Sequence, residues 1–156
     1  MPLGNLTSQF FANVYLNELD YFVKHKLKVK CYIRYVDDFV ILHNNKETLE
    51  EYKEKINNYL KNLILVLHPD KSKIIPLRNG ITFLGYRIFY YYKLLRKSNI
   101  RKFEKIFKEE LEFLEKGMGD AAYEDLMRSL KGWFGYSIWA NTYKYREKIL
   151  KKIKHI

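Results

Sequence analysis

Two adjacent carboxylates, Asp37 and Asp38, interrupt an apolar stretch, and no other feature of the 156-residue chain restricts its folding as much. Cys31-Tyr32-Ile33-Arg34-Tyr35-Val36 precedes them and Phe39-Val40-Ile41-Leu42 follows. Both flanks are short and rich in β-branched and aromatic residues, which suits strands. The acidic pair between them reads as a tight turn, so the segment is a strand, a turn and a second strand. Carboxylates this close repel each other, and apolar neighbours add a desolvation cost. A solvated Asp-Asp turn is the plain alternative, because Asp is common in turns. A divalent cation also removes the problem. Mg²⁺ prefers oxygen ligands and keeps several waters, so one or two carboxylates plus substrate phosphates hold it. The chemistry that uses such a pair is phosphoryl transfer with two ions about 4 Å apart.

Periodicity organises the rest of the chain. Phe11, Val14, Tyr15, Leu19, Phe22 and Val23 fall at helical spacing, which predicts a helix over about residues 7–26 with Thr7 or Ser8 as its cap. Leu49, Tyr52, Ile56, Tyr59 and Leu60 predict a second helix from Lys46 to Asn62. The period then shortens, and Leu65–Leu67, Lys73–Leu77, Ile81–Tyr90 and Lys93–Leu95 read as short strands. His68-Pro69-Asp70 and Arg78-Asn79-Gly80 punctuate them. After Ser98 the pattern is helical, with breaks near Gly117-Met118-Gly119 and Asn141-Thr142. The expected fold class is α+β: an antiparallel sheet packed on helices, then an all-helical portion, with the boundary near Lys97. Trp133, Phe134, Trp139 and Tyr143 are expected in the helical core, and Gly132 and Gly135 are expected at close contacts or a break.

Hydrophobic residues make up 47% of the chain, which is enough for a packed core and excludes a disordered chain. The net charge of +11 points to a polyanion, either nucleic acid or an anionic membrane surface. The last helix combines Tyr145, Ile149, Ile153 and Ile156 on one side with lysines elsewhere, a pattern that fits docking on neighbouring helices or, less simply, a membrane surface. Cys31 is the single cysteine, so no internal disulfide forms, as suits a reducing cytoplasm. No apolar run is long enough to span a bilayer. His25, His43, His68 and His155 are scattered and show no zinc-like spacing.

Tyr35-Val36-Asp37-Asp38 resembles the Tyr-x-Asp-Asp box of reverse transcriptases. Leu3-Gly4-Asn5-Leu6-Thr7-Ser8-Gln9 is similar to the box that precedes it in that family. Downstream, Leu67-His68-Pro69-Asp70-Lys71-Ser72 resembles the lysine-bearing segment, and Phe83-Leu84-Gly85-Tyr86 the primer grip. Gly132-Trp133-Phe134-Gly135-Tyr136 followed by Asn141-Thr142-Tyr143 is similar to the thumb of bacterial members. The five segments stand in the family's order, and the resemblance they carry extends over nearly the whole chain. The Leu-Gly-x-x-x-Ser-Gln form of the first box is most like enzymes of diversity-generating retroelements, with group II intron and retron-type enzymes as the close variants.

The resemblance implies a partial palm over residues 1–96 and a helical thumb over 97–156. It implies that Asp37 and Asp38 hold two Mg²⁺ ions and that Lys71 protonates or neutralises the leaving pyrophosphate. Gly4, Ser8, Gln9 and Tyr35 are then expected at the template and incoming nucleotide. Phe83, Leu84, Gly85 and Tyr86 are expected at the primer end, with Phe83 and Leu84 also in the core. Arg87, Arg96, Lys97, Arg101 and Lys102 are expected on nucleic-acid phosphates, and about half of Tyr90-Tyr91-Tyr92 in the core. The implied partners are an RNA template, a DNA primer, deoxynucleotides and a basic accessory protein, in the cytoplasm of a bacterium or on a phage genome. The family also needs an aspartate upstream of the first box, and fingers. Asp20 lies in a helical segment and does not fit that role, so the chain alone is expected to be nearly inactive. A degenerate remnant that only binds RNA–DNA duplex is the competing reading.

Overall fold

The computed structural model describes residues 6–116 and 119–153. Two compact units divide the chain, Met1–Ile74 and Ile75–Ile156. The α+β class is observed: helices are interleaved with two antiparallel sheets, and the chain ends in three successive helices.

In the first unit, α1 (Leu6–Tyr21) runs into a π-helical turn (Phe22–Lys26). It leads to the hairpin β1 (Cys31–Tyr35) and β2 (Asp38–Leu42), and then to α2 (Lys46–Asn62). Thr7 and Ser8 sit inside the first turn of α1 rather than ahead of it. Helix α2 has the bounds its periodicity predicts, and Asn45 caps it by accepting from the Thr48 amide at 2.9 Å. The core gathers Leu19, Val23, Val29, Ile56 and Leu60, with Tyr32, Phe39 and Ile41 of the hairpin and Tyr59 and Leu63 around them. The Phe22 and Tyr59 rings stack with centroids 4.0 Å apart. Each fully buried Leu or Ile contributes about 1.5–3 kcal/mol. Only the later half of the predicted apolar face of α1 is covered: Leu19 is buried, whereas Phe11 and Val14 are 58% and 55% exposed.

The predicted strands at Leu65–Leu67 and Lys73–Leu77 do not form. Leu65 and Leu67 do turn inward onto the core while Val66 is exposed, so the alternation is real. No neighbouring strand offers a hydrogen-bond ladder there among the described residues, and the Leu65 amide instead donates back to the Leu60 carbonyl at 2.9 Å.

In the second unit, β3 (Ile81–Phe83), β4 (Tyr86–Ile88) and β5 (Lys93–Leu95) form an antiparallel meander. Helices α3 (Lys97–Glu115), α4 (Gly119–Ser137) and α5 (Tyr143–Ile153) follow. Leu95, Phe103, Phe107, Leu126, Leu130, Trp133 and Ile149 build the core, and Tyr86 packs on it. The Phe103 and Trp133 rings stack at 4.1 Å. The meander thus shares its core with the helices, and the compact units divide at Ile74/Ile75. Helix α5 docks its apolar side through Ile149, with Tyr145 and Ile153 beside it. Ile156 falls outside the described residues.

Several core expectations change. Trp139 and Tyr143 are each 65% exposed, because α4 ends at Ser137 and leaves Trp139 on the connection and Tyr143 at the very start of α5. Tyr90, Tyr91 and Tyr92 are all exposed, since they form the β4–β5 connection rather than a strand. Gly132 and Gly135 face open space, so neither marks a close contact or a break. Among the described residues no helix is long and apolar enough to cross a membrane.

Candidate active site

The acidic pair lies at the tip of the β1–β2 hairpin. Tyr35 pairs with Asp38, so the two-residue turn is Val36-Asp37 and Asp38 is the first residue of β2. Both carboxylate side chains are exposed. Residues directly opposite in an antiparallel pair share a face. Asp38 therefore lies on the face of Tyr35 and Ile33, which are 58% and 57% exposed, while Tyr32, Phe39 and Ile41 turn to the core. The sequence expectation of strands meeting at an Asp-Asp turn holds, shifted by one residue.

Val36 occupies the left-handed region with φ +54°. For a β-branched residue this conformation costs on the order of 1–3 kcal/mol and persists only where neighbours enforce it. Arg34 supplies that enforcement. Its Nη1 donates to the Val36 carbonyl at 2.6 Å and to Asn13 Oδ1 at 3.0 Å. Its Nε and Nη2 donate to the two carboxylate oxygens of Asp20 at 2.8 and 2.6 Å, a fork-to-fork pair. The Tyr32 hydroxyl donates to Asp20 Oδ1 at 2.6 Å. The Arg34 hydrogen bonds hold the Asp20 carboxyl below its ordinary range against an opposing desolvation. Burial, reinforced by the hydrogen bond to Asp20, raises the Tyr32 phenol.

Sequence reasoning missed this network, although a signal was available. Arg34 is a cation inside an apolar strand, and a largely buried guanidinium requires a carboxylate partner. Asp20 is that partner, so it is already paired with a cation rather than available for metal.

The donors at the tip fit a hard divalent cation. They are oxygen-only, adjacent in sequence, exposed and carried at the tip of a paired hairpin. Among the described residues no group of three or more His, Cys, Asp or Glu gathers to hold a metal.

The other expected residues are dispersed. Ser8 and Gln9 lie on the first turn of α1, the helix that supplies Asn13 and Asp20. Gly4 falls outside the described residues. Lys71 is exposed in the turn closed by the Ser72 amide donating to the His68 carbonyl at 3.0 Å. Among the described residues no hydrogen bond or ion pair joins it to the acidic hairpin.

Phe83, Leu84, Gly85 and Tyr86 belong to the second unit. Phe83 pairs with Tyr86 around a Leu84-Gly85 turn in which both φ angles are positive, +49° and +83°, the sign pattern of a type I′ turn. Phe83 is buried, but Leu84 is 44% exposed because the turn lifts it off the core. The Arg96 amide donates to the Gly85 carbonyl at 2.9 Å, and the Tyr86 hydroxyl to the Tyr136 carbonyl at 2.8 Å. A Cβ at Gly85 would overlap the Tyr136 hydroxyl, so this glycine marks a close approach. Arg87 is engaged locally: its Nη2 donates to the Asn79 carbonyl at 2.7 Å, and its guanidinium lies 5.4 Å from the Phe89 ring centre. Arg96, Lys97, Arg101 and Lys102 are exposed around the start of α3, whose first turn carries no acidic residue.

The family model "Reverse transcriptase (RNA-dependent DNA polymerase)" matches residues 1–88. Protein P of duck hepatitis B virus, brown Shanghai duck isolate S5, is 24% identical over 108 residues, which are 69% of this chain. The white Shanghai duck isolate S31 gives 25% over the same length. The chain spans only 14% of the length of these curated relatives. The family match covers more than half of the chain and takes in the hairpin with its acidic turn, so this protein belongs to the reverse transcriptase family.

Proposed function

We propose that the chain is the part of an RNA-directed DNA polymerase that carries two of its metal-binding carboxylates. The observation behind this is the turn that sets Asp37 and Asp38 side by side at the exposed tip of an otherwise apolar hairpin. When bound, two Mg²⁺ ions activate a primer 3′-hydroxyl and stabilise the leaving pyrophosphate. The chain's own contribution is to hold the Asp37 and Asp38 oxygens at the tip of two paired strands. Tyr35, on the same face as Asp38, would lie against the nucleotide or template; Ser8 and Gln9 would contact the same partners from the start of α1, and Gly4 is assigned to them by its motif alone. Lys71 would neutralise charge on the leaving group. The rigid Leu84-Gly85 turn would support the primer end. Arg96, Lys97, Arg101 and Lys102 would meet phosphates at the start of α3, where the helix dipole also favours an anion. Arg87 would join them only after leaving its Asn79 carbonyl.

Two carboxylates bind metals too loosely for fast turnover, and the reaction takes a further aspartate. We therefore expect little or no extension by this chain alone, and activity when a segment bearing that aspartate and the fingers is supplied. The Leu-Gly-x-x-x-Ser-Gln form of residues 3–9 supports assignment to a diversity-generating retroelement, which implies a basic accessory protein as partner and a bacterial cytoplasm or phage genome as source.

Primer extension on an RNA template with Mg²⁺ tests the reading. The complemented enzyme should extend, and Asp37→Ala should abolish extension. Strong extension by the chain alone would overturn the incomplete-site reading. Extension that survives Asp37→Ala would remove the carboxylate assignment. One other reading, a remnant that binds RNA–DNA duplex without catalysis, rests on the cationic side chains exposed around the start of α3. Duplex binding that persists without divalent metal, together with no activity on complementation, would select it.

A further inference from the structure

Among the family's expected residues none accounts for the shape of the acidic turn itself. Val36 stands at φ +54°, a backbone state that valine rarely adopts, immediately before Asp37. Its carbonyl receives Arg34 Nη1 at 2.6 Å. The same guanidinium is fixed by both oxygens of Asp20, at 2.8 and 2.6 Å, and by Asn13 at 3.0 Å. Asp20 and Asn13 both belong to α1, whose Leu19 is in the core of the unit. The Arg34 side chain is only 10% exposed, so its geometry is set by packing as well as by charge.

We infer that Arg34 is a positioning residue for the acidic pair: its fork ties the strained Val36 carbonyl to Asp20 and Asn13 of α1 and so aims Asp37 and Asp38 at a shared divalent cation. The inference rests on the metal-binding reading of that pair. A lysine cannot replace this arginine, because one ammonium cannot face Asp20 through two parallel bonds and reach the Val36 carbonyl at the same time. A glycine at position 36 would adopt the same φ without strain and would reduce the need for the tie.

The test is Mn²⁺ titration of the ¹⁵N-labelled chain, which reads the metal site without catalysis. In the parent chain the Asp37 and Asp38 amide signals should broaden at the lowest Mn²⁺ concentrations. Arg34→Lys should raise the midpoint roughly tenfold, the lower end of what losing one hydrogen bond to a charged group implies. Adding Val36→Gly to Arg34→Lys should recover most of that rise, which a residue serving only general stability would not show. If Arg34→Lys fails to fold, Asn13→Ala removes one contact of the same Nη1 and should raise the midpoint by a smaller factor, roughly twofold.

A midpoint unchanged in the folded Arg34 variant, while Asp37→Asn removes the broadening, overturns the positioning role and leaves the metal reading intact. An unchanged midpoint in Asn13→Ala does the same where Arg34→Lys is unfolded. A raised midpoint that Val36→Gly does not recover also overturns it. Absence of preferential broadening in the parent chain overturns both.

Discussion

Arg34 divides one guanidinium among an aspartate, an asparagine and a strained carbonyl, and the stability of the first unit should register that arrangement. Asp20→Asn would leave a largely buried cation without its charge partner. At neutral pH this should cost about 1–3 kcal/mol. The pH dependence has a definite sign. The folded-state pKa of Asp20 lies below the ordinary 3.8, so its contribution is complete above the unfolded value and is lost as pH falls through the folded one. Thermal unfolding of the parent and Asp20→Asn should therefore show a constant gap in Tm at pH 7 and 5 that narrows below about pH 4. A gap that stays constant into strong acid would mean that the carboxylate charge is not what stabilises Arg34. At this scale the sequence disclosed the acidic pair, because two adjacent charges between apolar runs are conspicuous locally. It did not disclose Asp20, whose partner lies 14 positions away on another element.

The two hairpin turns are both tight but rest on different devices. The Val36-Asp37 turn depends on a side chain from the adjacent strand, whereas the Leu84-Gly85 turn has a glycine and is held by the Arg96 amide. Gly85→Ala combines an unfavourable φ of +83° with an overlap on the Tyr136 hydroxyl, which itself accepts from Asn99 Nδ2 at 3.0 Å. We expect it to destabilise the second unit by roughly 2 kcal/mol or more. Gly135→Ala on the exposed face of α4 should act oppositely, stabilising by about 0.5–1 kcal/mol because open space surrounds that position. Denaturant unfolding of both variants checks the pair, and destabilisation by Gly135→Ala would contradict the exposed placement of that residue. Element type was legible wherever a period was long and unbroken, as in α2. It was misread at Leu65–Leu67, where inward and outward residues alternate but no second strand pairs with them among the described residues.

The chain as a whole is strongly cationic, with a net charge of +11, and much of that charge lies on exposed helix surfaces. If α3 meets nucleic acid, affinity for an RNA–DNA duplex should fall steeply with salt. Replacing Arg96, Lys97, Arg101 and Lys102 together by Gln should lower the magnitude of the log–log salt slope by roughly 3, since each phosphate contact contributes about 0.7–0.9. Fluorescence anisotropy over a range of salt measures this, and an unchanged slope would exclude the start of α3 from the interface. The same substitutions should leave the helical signal unaltered, because all four side chains are exposed. The expected palm–thumb boundary near Lys97 follows a change in composition, whereas compactness follows packing: the meander joins the helical core through Leu95 and Tyr86, and the compact units divide at Ile74/Ile75.

By itself the sequence determined the local patterns: a hairpin with an acidic turn, amphipathic helices with legible ends, and the order of motifs that resembles reverse transcriptases. Such patterns depend on residues a few positions apart, where backbone sterics and side-chain period act directly. Tertiary structure decided which apolar faces are covered, leaving Phe11 exposed and Leu19 buried on one helix. It also decided that Asp20 would clamp Arg34, and through Arg34 the strained Val36. Burial and charge pairing are settled by whichever distant residues the fold brings together, and that choice is not written in any single stretch of the chain.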